Sequence, residues 1–172
     1  RRPPRTPLSR VRRQRQMCIR DRVHWGFKEI RYGLDDRVSE MLADLYPDGR
    51  FVFIVRHPAD VIASKISARA SEGIEADAHT WVAQNTYFLH LSRENSESSR
   101  IVHYEELISN DSQQLSQLFD WLGFDLSDKQ RDIIETTRPS YKGRPRPAKL
   151  TDDEIDSINK ITQDIRNELG YS

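Results

Sequence analysis

Arg56 stands directly after five consecutive apolar residues, and Ser64 follows it by eight positions in the segment FVFIVRHPADVIASK (51–65). An uninterrupted apolar run between turn signals suits a strand covered on both faces, as in a parallel sheet. Pro58 suits the first turn of a helix. In open parallel sheets, ligands bind beyond the C-terminal ends of the strands, which is where Arg56 falls. A guanidinium there is always charged and can hold two oxygens of one phosphate. Ser64 lies two helical turns on, beyond the helix start itself, and shares a ligand with Arg56 only if the loop brings the guanidinium alongside the helix. The residues alone fit another arrangement equally well: Arg56 paired with a core Asp, and Ser64 on a solvent face.

The elements that must position these residues follow from pattern. VHWGFKEIRY (23–32) alternates and is rich in aromatic and β-branched residues, which predicts a strand. Val38, Met41, Leu42 and Leu45 recur at helical spacing over 37–46, and Pro47-Asp48-Gly49 stops that helix. A strand is expected over 51–55 and a helix over 59–70. SEGIEAD (71–77) reads as a polar loop and 79–95 as a long amphipathic helix, with Trp81 in the core. RIVHYEEL (100–107) reads as a second buried-type strand leaving on Tyr104 and Glu105, a pair expected to hold the strand end. Helices are expected over 111–124, capped by Asp111 and ended by Gly123, and over 126–138, capped by Ser127. Residues 139–150 are rich in Pro and bases and exclude regular structure. The last helix, 151–170, opens on a capping box of Thr151 and Glu154 and ends at Gly170. Alternating strands and helices imply an α/β fold, a parallel sheet flanked by helices in three layers.

Composition sets limits. The chain of 172 residues is 36% hydrophobic and 31% charged, enough for one polar domain with a core. Its single cysteine, Cys18, excludes an intrachain disulfide and a Cys-based zinc site. His79, His90 and His103 lack metal-ligand spacing, so no metal is expected. No apolar run approaches the roughly 20 residues of a membrane span. The formal net charge of zero conceals an asymmetry. Residues 1–22 carry nine Arg and one Asp, a net of +8, so the other 150 residues carry −8.

The Arg-rich start has three prolines and no apolar period. Composition allows a nucleic-acid-binding arm or a transit peptide. RQRQMCIRDR also resembles a translated sequencing-adapter read joined to a truncated gene. On that reading 1–22 is a non-native segment, and 23–172 is part of a domain that continues upstream.

Two segments together resemble the sulfotransferase superfamily. FVFIVRHPADVIASK is similar to its 3′-phosphate-binding segment: an apolar strand, Arg, any residue, Pro, then Ser eight after the Arg. RIVHYEELISNDSQQLSQLFDWLGFDL, about 40 residues later, resembles its second landmark, a strand ending in Tyr-Glu-x-Leu and a helix ending in Leu-Gly. With WGFKEIRY before them, the likeness is to bacterial and carbohydrate-type members and covers about 25–135. It implies a P-loop NTPase-like fold, incomplete at the N-terminus, and sulfuryl transfer from 3′-phosphoadenosine 5′-phosphosulfate (PAPS) to a hydroxyl or amine by in-line displacement, without a metal.

Carried over residue by residue, the resemblance implies that Arg56 and Ser64 hold the 3′-phosphate of PAPS. Glu29 would be the base and Lys28 an electrostatic helper, like the Lys-Glu pair of glucosaminyl 3-O-sulfotransferases. Neighbouring strand residues face opposite ways, so on a regular strand only one of them faces the site; the alternatives are Glu29 paired with Arg31 or solvent, and His24 as base. Tyr141, Lys142 and Gly143 loosely match a late Arg-Lys-Gly loop that closes over the nucleotide; a solvated loop fits them equally. The family's Gly-rich phosphosulfate loop is matched nowhere in 1–22, so the chain as given is expected to be inactive alone. The partner would be a hydroxyl-bearing acceptor, with carbohydrate among the candidates, and the expected location is cytoplasmic unless a Golgi anchor lies upstream. Three readings compete: a kinase-like nucleotide-binding protein with Asp60 as a magnesium ligand, a non-catalytic relative, and a module whose basic arm binds nucleic acid. The −8 balance of the remainder argues against a wider nucleic-acid surface.

Overall fold

A computed structural model describes Gly26 and residues 36–108, 112–136 and 147–171. The strand expected over 23–32, the Arg-rich segment and most of the loop 139–150 lie outside the described residues.

Helix α1 (Asp36–Leu45) ends in the Pro47-Asp48-Gly49 turn. There the Gly49 amide donates to the Tyr46 carbonyl at 2.8 Å, and a Cβ on residue 49 would meet that same oxygen at 2.8 Å. Only glycine allows so close an approach of two backbone segments. Strand β1 (Phe51–Val55) follows, then α2 (Pro58–Ser67), α3 (Ile74–Glu94), β2 (Ser99–His103), α4 (Tyr104–Ile108), α5 (Ser112–Trp121), α6 (Asp128–Thr136) and α7 (Asp152–Glu168). The two strands pair in parallel, from Phe51 beside Ser99 to Val55 beside His103, with α2 and α3 as the connection between them. This is the α/β architecture that the alternating pattern implied.

Three of the boundaries that differ from expectation have a clear physical reason. Helix α3 begins at Ile74, so the segment 71–77 is not a loop throughout. Gly73 takes φ +117° ahead of it, and Glu75 and Asp77 lie in the first turn, where carboxylates complement the helix dipole. Asp77 is 2% exposed because it turns inward to Lys65 and to the Ser71 hydroxyl, 2.6 Å away. Helix α2 stops at Ser67, short of 70, and Arg69 adopts φ +55° just beyond it. Strand β2 ends at His103, not 107, because Tyr104 begins a short helix that folds Glu105 back over the strand ends.

Among the described residues, the core clusters lie on the α3 side of the sheet. Phe51, Phe53 and Val55 share a face by strand periodicity, and Phe53 stacks on Phe88 of α3 with ring centroids 4.7 Å apart. Val55, Trp81, Leu89 and Leu169 form one buried cluster, and Ile62, Ala78 and Ile158 form a second that joins α2, α3 and α7. On the other face Ile54 is 51% exposed, so β1 is not covered on both sides along its length. Its apolar run fitted such a strand, but the clusters fill only the α3 side. Helix α7 opens on the expected capping box: the Glu154 amide donates to Thr151 Oγ1, and the Thr151 amide to Glu154 Oε2 at 2.7 Å. At α6, the expected cap Ser127 meets Gln130, whose Oε1 accepts from the Ser127 amide at 2.9 Å and from its hydroxyl at 2.8 Å.

Ile158 is fully buried where three helices meet. Ile158→Ala is expected to lower unfolding free energy by about 2–5 kcal/mol, measured by urea denaturation. Asp77 is a second check. Burial alone would raise its pKa, but the hydrogen bonds from Lys65 and Ser71 outweigh that and hold it below its ordinary value. Its contribution to stability is therefore full above about pH 4 and is lost as pH falls through the lower folded-state value. Asp77→Asn should flatten that acid limb.

Candidate functional site

Val55 is 2% exposed and anchors the end of β1, so Arg56 emerges from the sheet at a fixed point. The backbone that follows is held from three directions. Trp81 Nε1 donates to the Arg56 carbonyl at 3.0 Å, so the core tryptophan supports the turn. The His57 amide donates to Glu105 Oε1 at 2.9 Å. The His57 carbonyl accepts from the amides of Asp60 and Val61, both at 3.1 Å, which starts α2.

The Arg56 guanidinium lies 4.8 Å from the centre of the Tyr104 ring, a cation–π contact, and 3.3 Å from Asp60 Oδ2. Its side chain is 28% exposed and that of Asp60 is 54% exposed, so the partner is not a core Asp. Arg56 Nε is buried and has no hydrogen-bond partner among the described residues. Ser64 is exposed on α2, four residues after Asp60, which puts both on one helix face about 6 Å apart. The guanidinium thus does lie alongside the helix, one turn short of Ser64, with Asp60 between them. The helix start itself has little to offer an anion. The amides of His57, Asp60 and Val61 are engaged and Pro58 has none. An oxyanion here has to be bound chiefly by side chains.

A second set of groups braces the site from behind. Tyr171 donates its hydroxyl to Glu105 Oε2 at 2.9 Å, while Glu105 Oε1 takes the His57 amide. The Tyr171 ring meets His57 edge-on at 5.6 Å and His103 at 5.0 Å. His103 Nε2 lies 2.8 Å from the Leu169 carbonyl, so that nitrogen carries the proton. Burial, with the hydrogen bond to Glu105 second, pushes the Tyr171 pKa well above its ordinary value, so the phenol stays a donor. Burial also lowers the pKa of His57. Arg166 adds to that lowering, and Asp60 and Glu105 oppose it.

Of the residues singled out from sequence, Arg56 meets Asp60 in the first turn of α2, Ser64 shares that helix face with Asp60, and Trp81 lies in the core. Glu29, Lys28, His24, Tyr141, Lys142 and Gly143 lie outside the described residues. Tyr104 and Glu105 do hold the strand end, and Tyr104 also carries the guanidinium. Sequence reading missed Tyr171 and the bracing role of His57; a tyrosine at the end of the last helix carries no local signal of a partner 66 residues away. No group of three metal-ligating side chains occurs among the described residues, and no helix there is long and apolar enough to cross a membrane.

The model of the sulfotransferase family matches residues 37–128, which is more than half of the chain and contains Arg56, Ser64, Tyr104 and Glu105. The chain belongs to the sulfotransferase family. Among solved structures it is similar to the sulfotransferase domain from the curacin biosynthetic pathway, at 20% sequence identity and a TM-score of 0.64, over 96% of this chain and 68% of that one. At that identity the likeness is one of fold. Comparison with curated proteins gave no match. In this family member the brace from Tyr171 comes from beyond the matched segment.

Tyr171→Phe should cost about 1–3 kcal/mol, because it leaves a partly buried carboxylate oxygen short of a donor; chemical denaturation measures it. His57 sets a pH limit. Its folded-state pKa is lowered, so the unfolded chain binds more protons below about pH 6.5. Stability should be full above that pH and fall as pH drops, with a shallower fall in His57→Gln, read by thermal melts from pH 8 to pH 5.

Proposed function

We propose that the chain carries the 3′-phosphate half of a PAPS site and serves transfer of a sulfuryl group to an acceptor hydroxyl. The observation that carries this reading is Arg56: a guanidinium at the end of β1, held over the Tyr104 ring, with Nε unpartnered among the described residues and Ser64 one turn beyond its Asp60 contact. That arrangement fits a phosphate on a ribose. The guanidinium fork supplies in-plane donors, and the serine hydroxyl adds one more. When bound, PAPS supplies the activated sulfuryl group.

The roles of the chain's own residues follow. Arg56 and Ser64 bind the 3′-phosphate and orient the nucleotide. Glu29 would take the proton from the acceptor hydroxyl as the new oxygen–sulfur bond forms and the sulfur–oxygen bond to the 5′-phosphate breaks, with adenosine 3′,5′-bisphosphate leaving, and Lys28 would steady the negative charge on the departing oxygen. Tyr141, Lys142 and Gly143 close over the nucleotide. Asp60 tunes the site: its carboxylate holds Arg56 in place but repels a phosphate in the same position.

Calorimetric titration with adenosine 3′,5′-bisphosphate and adenosine 5′-phosphate tests this reading. The bisphosphate should bind at least about tenfold more tightly, the weight of one charged hydrogen bond. Arg56→Gln should abolish that preference, Ser64→Ala should reduce it several-fold, and Asp60→Asn should increase it. Equal affinity for the two nucleotides would sink the assignment. With no match to the phosphosulfate loop in its sequence, this chain is expected to bind without turning over; sulfate transfer by the chain alone would overturn that part.

A further inference from the structure

A second cationic site lies at the opposite end of the strands. Arg50 immediately precedes β1, and Arg100 is the second residue of β2. Both guanidinium carbons lie over the indole of Trp121, at 5.3 Å and 5.0 Å from the ring centroid. The two charges are therefore no more than about 10 Å apart, around one Debye length at physiological salt. Both arginines are exposed, and among the described residues neither is ion-paired or hydrogen-bonded through its head group. Arg100 lies beside Val52 in the register, on the sheet face away from α3. Arg50 and Arg56 are separated by the length of β1, about 20 Å.

We propose that Arg50, Trp121 and Arg100 form an oxyanion-binding site, separate from Arg56, for a small ligand bearing one or two sulfate, phosphate or carboxylate groups. A cation–π contact with the indole uses none of a guanidinium's N–H donors for hydrogen bonding, and these donors fit an oxyanion. The indole also restrains two long side chains that would otherwise have to be ordered on binding. Charge selects the ligand's size. Outside residues 1–22 the chain carries −8, so two arginines are a small positive patch on an acidic body. The net charge of the body disfavours a long polyanion more than a small anion.

The test is calorimetric titration of the full chain with sodium sulfate, glucose 6-sulfate and glucose, at constant ionic strength made up with chloride. Sulfate and glucose 6-sulfate should bind and glucose should not. The double variant R50Q/R100Q should weaken binding at least tenfold, Trp121→Phe should weaken it less, and in Arg56→Gln, which removes any sulfate held at the nucleotide site, the component lost in R50Q/R100Q should remain, with circular dichroism confirming the fold of each. Binding of glucose 6-sulfate but not of free sulfate would assign the site to a sulfated sugar; binding of both equally would assign it to the free anion. No binding above the chloride background, or loss only in Arg56→Gln, would overturn the proposal. Because Arg56→Gln separates the two sites, this outcome is independent of the nucleotide reading.

Discussion

The Glu105 carboxylate stands between the start of the site and the end of the chain. One oxygen takes the His57 amide and the other takes the Tyr171 hydroxyl. The His57 amide precedes a proline and sits where a strand becomes a helix, so no neighbour in sequence can satisfy it. A buried amide without a partner is costly. By accepting it, Glu105 fixes the direction in which Arg56 leaves the sheet, and by accepting Tyr171 it ties that direction to the position of the last helix. Strand end, helix start and chain end are thus set by one side chain on a five-residue helix.

The site this frame holds is a side-chain site. Many phosphate sites use the free amides at a helix start. Here those amides are largely engaged, and an acidic residue occupies the first turn. Positive charge comes from Arg56, kept in place by the Tyr104 ring on one side and Asp60 on the other. The ring offers attraction without neutralising the charge, whereas Asp60 neutralises it in part. That balance would suit the proposed role, a partly exposed cation oriented before a ligand arrives.

The acidic balance of the domain is placed with purpose in the fold. Glu75, Asp77 and the run Asp152-Asp153-Glu154 sit in first turns, where they complement helix dipoles. Asp77 is buried with Lys65 and Ser71 around it. The same charges that make the surface acidic therefore help start the two helices that enclose the core.

Much was legible in the sequence because much is local. An apolar run between turn residues defined β1 to the residue, Pro58 marked the start of α2, and Thr151 with Glu154 marked α7, since each depends on backbone preferences within a few positions. Asp60 and Ser64 likewise share a helix face because α-helical geometry alone carries it. What the sequence could not decide rests on distant partners. SEGIEAD looked like a loop because its carboxylates seemed bound for solvent, until Lys65 drew Asp77 inward. The run through Tyr104 and Glu105 read as strand because only the fold places His57, 48 residues earlier, and Tyr171, 66 residues later, around one carboxylate. Local propensity determines which segments are helix or strand; the satisfaction of buried polar groups, which needs three dimensions, decides where they end and what they hold.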